Sequence, residues 1–397
     1  VVAADNAVVG DFPLVSTMSD TGTFSTATAL TGSVAVGDYF EVWQCPEIMN
    51  GGLLECTQEQ IERSAPTGEY GREASRAGVR SAAGTLQLAF RGPGTGRQGS
   101  PTEAHRVLGS IFDYTADAGD LVVNGTGSVS SIPYDSGTAV VSNMYVTQEG
   151  AAFMCTSAGT PAVPSPNLAS TPADNSTVYG LATYEPSTGI NELLAVKQHR
   201  GNGILEYIWG VAPAISFSGT RNEFLHIDCN CQGADWMRLV YDSAAVAITR
   251  GYSPVLSTVD PIKLGDMRCS VDGTELGLRS FTFDPGVDIQ PRINLTAPNE
   301  TDGFDIVGDN PTGSIEVFAD SNTIEALEDF LSGKEITILV QANKAPGFPG
   351  VFAIWAYKCR YTGPTIADDA GQITLSLPFQ VIRHATSALP RWALGIG

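Results

Sequence analysis

Three groups of residues have types and spacings that could do chemistry. His226, Cys229 and Cys231 put three soft or borderline ligands within six residues, enough to bind zinc if a fourth ligand came from elsewhere. A structural zinc site ordinarily has a paired second knuckle, which this sequence lacks, and on a strand residues 229 and 231 share one face, as two small core side chains also would. Asp302, Asp305 and Asp309, and the pair Asp368–Asp369, could be catalytic carboxylates or calcium ligands. Calcium loops space their ligands at alternate positions with a glycine for the turn, and this run does not. Gly92, Gly94 and Gly96 make a glycine-rich link without the lysine and Ser/Thr of a phosphate-cradling loop. His105, His199, His226 and His384 sit in no hydrolase or metalloprotease pattern. These residues imply no catalytic site, no cofactor and no metal, and the protein is expected not to be an enzyme.

The elements that would hold such residues are mostly strands. Gly (43), Pro (23) and abundant Ser and Thr suit short strands joined by many turns. Runs with strand character are Asp38 to Gln44, Gly84 to Arg91, Ala139 to Thr147 and Thr177 to Tyr184, then Ile204 to Val211, Glu223 to Asp228, Met267 to Phe283, Gly313 to Phe318, Glu335 to Gln341, Val351 to Tyr361 and Ile373 to Ile382. Two helices are expected. One opens on a Ser100-Pro101-Thr102-Glu103 capping box and presents Ala104, Val107, Leu108 and Ile111. The other is capped by Asn322, presents Ile324, Leu327, Phe330 and Leu331, and stops at Gly333. Each helix follows a strand that begins with glycine, Gly84 or Gly313. The expected fold is therefore mainly β: two tandem β-sandwich domains, 1–200 and 201–397, each with one flanking α-helix, plus long loops. The Ser/Thr/Gly/Pro-rich patches between Asn124 and Tyr179 are expected to be such loops.

Charge narrows the function. The formal net charge is −21, so the chain is not expected to grip nucleic acid, which binds through Lys and Arg displacing counterions. No apolar run is long enough for a membrane helix, and Val1 to Gly10 lacks the basic start of a signal peptide. Seven scattered cysteines suggest no disulfide framework and a reducing place of synthesis. Four Asn-x-Ser/Thr sequons begin at Asn124, Asn175, Asn294 and Asn299. Residues 1–62 and 107–196 contain no Lys or Arg, whereas residues 63–106 hold seven arginines against three acids. The window from Cys45 to Ala83 is expected to project as a loop.

Gly84 to Gly96, running on to Pro101-Thr102-Glu103 and the helix, resembles an early segment of the bacteriophage major tail (tail tube) proteins. Phe304 to Asp320 is similar to that family's segment before its second helix, and Asp368 to Ile382 resembles its closing strand. The resemblance implies a virion protein assembled in host cytoplasm, its subunits forming trimeric rings of doubled sandwiches stacked into a tube. DNA would pass through the lumen unbound, and the partners would be the tape measure, tail terminator and tail-tip proteins. In such a tube Arg63, Arg72, Arg76 and Arg80 would meet the acidic face of the next ring, since arginine grips carboxylates bidentately. Two other classes fit the composition: a secreted carbohydrate-binding or adhesin-like double β-sandwich, and a glycosidase using two carboxylates.

Overall fold

The computed structural model describes residues 15–18, 24–26, 48–61, 76–91, 104–115, 145–148, 151–155, 178–201, 204–220, 223–240, 261–263, 267–272, 274–297, 299–342, 352–369, 372–383 and 391–396. In chain order the elements begin with β1 (Val15–Met18), β2 (Phe24–Thr26), β3 (Ile48–Gly51), β4 (Glu55–Ile61), β5 (Arg76–Ala89) and helix α1 (His105–Ile111). There follow β6 (Phe112–Thr115), β7 (Tyr145–Gln148), β8 (Ala151–Cys155), β9 (Val178–Pro186), β10 (Leu194–Gly201), β11 (Ile204–Thr220) and β12 (His226–Val240). Next come β13 (Met267–Val271), β14 (Thr274–Leu276), β15 (Leu278–Asp284), β16 (Val287–Ile293), β17 (Thr301–Asp309), β18 (Thr312–Phe318) and helix α2 (Ser321–Ser332). The series closes with β19 (Ile336–Ala342), β20 (Phe352–Tyr361), β21 (Thr365–Asp369), β22 (Gln372–Val381) and β23 (Trp392–Ile396). The chain is mainly β, as its composition implies.

Six strands form an antiparallel layer in the order β5–β12–β11–β15–β18–β22. Period-2 alternation sets which way each side chain points. Ile215, Phe217, Ile227, Cys229, Phe281, Phe283, Ile315, Val317, Leu375 and Leu377 turn inward and are buried. At Cys359–Val381 strand β22 meets β20, which carries β19 on one edge and β23 on the other, and β9 pairs with β23. Ring contacts tie these strands together across the core: Phe352 of β20 lies 4.9 Å from Phe90 and 6.3 Å from Phe217. Hydrogen bonds also cross the expected 200/201 boundary, because β10 pairs with β11 and β5 with β12. Strands β16 and β17 form a separate two-stranded ribbon.

Several expectations need correction. The Cys45 to Ala83 window, expected to project as a loop, contains β3, β4 and the first half of β5. Its Ala, Gly and Ser residues carry little strand signal of their own, but β5 is held by β4 along one edge and by β12 on the other. Tertiary pairing overrides propensity there. Gly84 is accordingly mid-strand rather than at a strand start, and a Cβ on it would lie 3.0 Å from Leu54 Cδ2. Within the Asn124 to Tyr179 region β7 and β8 form a hairpin, β7 overlapping the strand expected over Ala139 to Thr147, and the Thr156 to Ser176 patch expected to be a loop lies outside the described residues.

Helix α1 buries Leu108 and Ile111 as its spacing predicts. The helix begins at His105 after Ala104, and the capping-box residues 100–103 lie outside the described ones. In α2 the cap is Asp320, not Asn322: Thr323 N donates to Asp320 Oδ1 at 2.9 Å and Asp320 N donates to Thr323 Oγ1 at 2.7 Å. The buried face is also rotated from the expected one. Thr323 and Ala326 face the core, while Ile324 and Leu331 are left in solvent. Gly333 ends the helix at a positive φ of 65°, as expected.

Gly313 shows how tightly the layer is packed. Any Cβ there would run into the Phe379 ring and lie 2.8 Å from the Thr282 carbonyl oxygen. Gly313→Ala is therefore expected to cost about 1–3 kcal/mol, read as a lower denaturant midpoint with an unchanged slope.

Candidate functional site

Among the described residues, those singled out for chemistry are not brought together. Cys229 and Cys231 point into the core and are buried, whereas His226 lies on the opposite, outer face of β12. Burial pushes the Cys231 thiol up to about 12 and raises Cys229 as well. Asp302, Asp305 and Asp309 all sit on β17, but their partners are arginines: Arg292 for the first two and Arg391 for the third. Among the described residues no group of three His, Cys, Asp or Glu is placed to hold a metal ion. Gly92, Gly94, Gly96 and His384 lie outside the described residues.

The outer face of the six-stranded layer carries a polar network that sequence reading missed. Ser218 Oγ lies 2.8 Å from His226 Nε2 and 2.6 Å from Asp228 Oδ2, and Gln87 Nε2 donates to Asp228 Oδ1 at 3.0 Å. Serine, histidine and aspartate in contact invite comparison with a hydrolase triad. In a triad the carboxylate orients the imidazole through Nδ1–H. Here Nδ1 faces the Phe224 carbonyl oxygen at 3.1 Å, and the carboxylate competes for the serine proton instead. Ser218 also sits within a strand paired on both edges, with β12 and β15, so the ladder takes up its backbone groups. The arrangement is a cross-strand polar network, not an activated nucleophile.

Further along the face, Thr282 and Ser314 continue the row by register, and Ser280 Oγ donates to Glu316 Oε2 at 3.0 Å. The charged groups here are Asp228, Asp284, Glu316 and Arg279, whose guanidinium lies 3.6 Å from Glu316. The layer turns hydroxyls, amides and carboxylates outward, and no lysine appears on its outward positions among the described residues.

A second polar cluster locks the end of the layer where β4, β10, β11 and β12 converge. Glu206 of β11 is fully buried, yet its carboxylate accepts from Arg200, from Arg238 Nε at 2.8 Å and from Gln198 Nε2 at 2.7 Å. Burial alone would raise this carboxyl, but the arginine and glutamine hydrogen bonds outweigh it and hold the pKa at about 2. Arg200 and Gln198 also bind the Leu54 carbonyl oxygen, each at 2.8 Å. The one visible sign in the sequence is a lone carboxylate inside the apolar run Ile204 to Trp209, a pattern that demands a buried partner.

Of the four arginines expected to reach a neighbouring ring, Arg63 and Arg72 lie outside the described residues. Arg76 opens β5 opposite Ile61. Arg80 grips within its own chain, with Nε 2.9 Å and Nη2 3.1 Å from the Asp235 carboxylate and Nη1 3.0 Å from the Trp236 carbonyl oxygen. Its backbone is pinned as well, since Arg80 N donates to Asn299 Oδ1 at 2.8 Å and Asn299 Nδ2 donates back to the Arg80 carbonyl. Asn299 is thus a buried strut holding the β16–β17 ribbon tip, although it heads a sequon.

Glu185 of β9 stands directly opposite Asp113 of β6. Burial, with a smaller push from Asp113, raises its carboxyl to about 7. A raised carboxyl favours the folded state at low pH, and that contribution is lost as pH climbs from about 4.5 to about 7. Glu185→Gln is expected to raise the melting temperature at pH 8 and leave it little changed at pH 4, measured by calorimetry. No protein-family model and no curated protein matches this chain.

Proposed function

We propose that this chain is a structural virion protein, the major tail tube subunit of a bacteriophage, which polymerises into trimeric rings stacked as a channel for DNA. The observation that carries the reading is the outward face of the β5–β12–β11–β15–β18–β22 layer, where short hydroxyl and amide side chains surround Asp228, Asp284 and Glu316. Such a wall repels phosphates and offers no row of cations to displace their counterions, so a duplex slides along it without sticking. In this reading the chain performs no reaction and needs no cofactor. Its other partners are the tape measure, tail terminator and tail-tip proteins, and the two tandem sandwiches supply the repeat that lets three chains close a ring. Closing strands across subunit boundaries also removes exposed edges. Arg63, Arg72 and Arg76 remain the proposed inter-ring contacts, whereas Arg80 already has its carboxylate in Asp235.

Negative-stain microscopy of concentrated protein tests the proposal. Tubes or stacked rings of three chains are expected. Rings of six full chains would sink the stoichiometry, and dispersed monomers at every concentration would sink the reading.

One observation favours a carbohydrate-binding module instead. Tyr207 and Trp209 are stacked at 16° and 6.3 Å on an open face, the kind of platform on which a sugar ring rests. Titration with soluble oligosaccharides, followed by tryptophan fluorescence, distinguishes the two readings.

A further inference from the structure

The strand alternation that separates His226 from Cys229 and Cys231 sets it beside Asp228 instead, two residues on and on the same outer face of β12. Ser218 of β11 is paired with His226 by register. Three polar atoms therefore converge: Ser218 Oγ is 2.8 Å from His226 Nε2 and 2.6 Å from Asp228 Oδ2, and Nε2 is 3.6 Å from Oδ2.

The triangle is one hydrogen short. With Nδ1 facing the Phe224 carbonyl oxygen at 3.1 Å, three close contacts each need a hydrogen. Serine brings one and a neutral imidazole one more, while the carboxylate and the carbonyl only accept. Once the ring N–H is given to Phe224, Nε2 turns a lone pair toward a serine oxygen whose own hydrogen Asp228 takes. A positive charge in the triangle resolves that conflict. Asp228 adds to the demand, because among the described residues it has no lysine or arginine partner and its one ion-pair contact is the imidazole. Lys263, which bridges to Phe224, lays its Nζ over the Phe224 ring instead, 5.7 Å from the centroid.

We propose that His226 Nε2 and Asp228 Oδ2 bind a divalent transition-metal ion of the zinc class, with Ser218 Oγ and water completing its shell. Two atoms 3.6 Å apart, each about 2.1 Å from one ion, subtend about 118° at it, near the tetrahedral angle. The supports that metal ligands need are in place. Nδ1–H on the Phe224 carbonyl fixes the tautomer that leaves Nε2 free to coordinate. Gln87 Nε2 donates to Asp228 Oδ1 at 3.0 Å and holds the other carboxylate oxygen. The His226 and Asp228 side chains are 13 % and 29 % exposed, so an ion can enter from the outer face. An imidazole ligand selects against calcium and magnesium, which take oxygen ligands. The ion clamps β11 to β12, a role independent of the tube assembly proposed above.

Isothermal titration of the metal-stripped full chain with zinc chloride tests the site, at neutral pH because metal ligands must be deprotonated. The wild type is expected to bind zinc at least tenfold more tightly than either His226→Gln or Asp228→Asn, with Gln87→Leu, which removes only the support of the carboxylate, falling between. Circular dichroism establishes that each variant is folded, and Asp228→Asn, which keeps the size of the side chain, serves alone if His226→Gln is not. Zinc that binds both variants as tightly as the wild type sits elsewhere, on the thiols or another histidine, and overturns the proposal. A wild type that binds no zinc overturns it too, the charge in the triangle then being a second proton on the ring.

Discussion

Replacing Glu206 by glutamine is expected to lower the stability of the protein by about 3–5 kcal/mol, the range for removing one partner of a buried ion pair. The carboxylate is completely buried and answers two guanidinium groups, those of Arg200 and Arg238. Glutamine keeps the shape and some of the hydrogen bonds but leaves both cations without their counter-charge. The damage spreads through Gln198, which donates to Glu206 and to the Leu54 carbonyl while accepting from Leu54 N at 2.9 Å. Strands β4, β10, β11 and β12 therefore loosen together, and amide exchange is expected to speed up first in those strands. Chemical denaturation measures the total, and a change below about 1 kcal/mol would show that the cluster is decorative. The pH dependence has a defined sign. The folded-state pKa of about 2 lies below the ordinary 4.5, so the contribution of Glu206 is complete above about pH 4.5 and is lost as pH falls toward 2. The Glu206→Gln variant is expected to lose that part of its acid sensitivity.

Trp392→Ala is the second large effect, expected to cost about 3–5 kcal/mol. Trp392 is 1 % exposed and packs edge-on against Phe112 at 5.0 Å and Phe283 at 5.4 Å. Phe112 directly follows α1 in the first half of the chain and Phe283 belongs to β15 in the second, so this one ring joins material from both. Removing it leaves a cavity that well-packed aromatic neighbours cannot collapse into. Because the halves share this core, wild type and variant are each expected to unfold in a single transition by calorimetry. Two separated transitions, with only one of them moved by the substitution, would show the halves to be independent.

The sequence by itself determined the class of the fold and several of its strands, although the three longest, β5, β11 and β12, only in part. Period-2 runs such as Ile373 to Ile382 and Met267 to Phe283 became β22 and the β13–β15 series, because alternation fixes a half-buried strand wherever it lies. The Gly333 stop was legible for a similar local reason: glycine alone takes a positive φ at little cost. What the tertiary structure decided is everything that depends on a distant partner. Strand β5 is made of small residues with weak strand preference and exists because β4 and β12 flank it. The exposed side of α2 was decided by the Asp320 cap and by what the helix packs on, so Ile324 and Leu331 face solvent although their spacing reads as core-facing. Arg80 reads as a loop residue that meets a neighbouring ring, yet Asp235, 155 residues away, claims it. Glu206, Gln198 and Leu54 likewise meet across separations of up to 144 residues. Local periodicity reports how a segment buries itself, but a hydrogen-bonding partner far along the chain leaves no mark on it, so the ion pairs and the polar face emerge only when the strands are laid side by side.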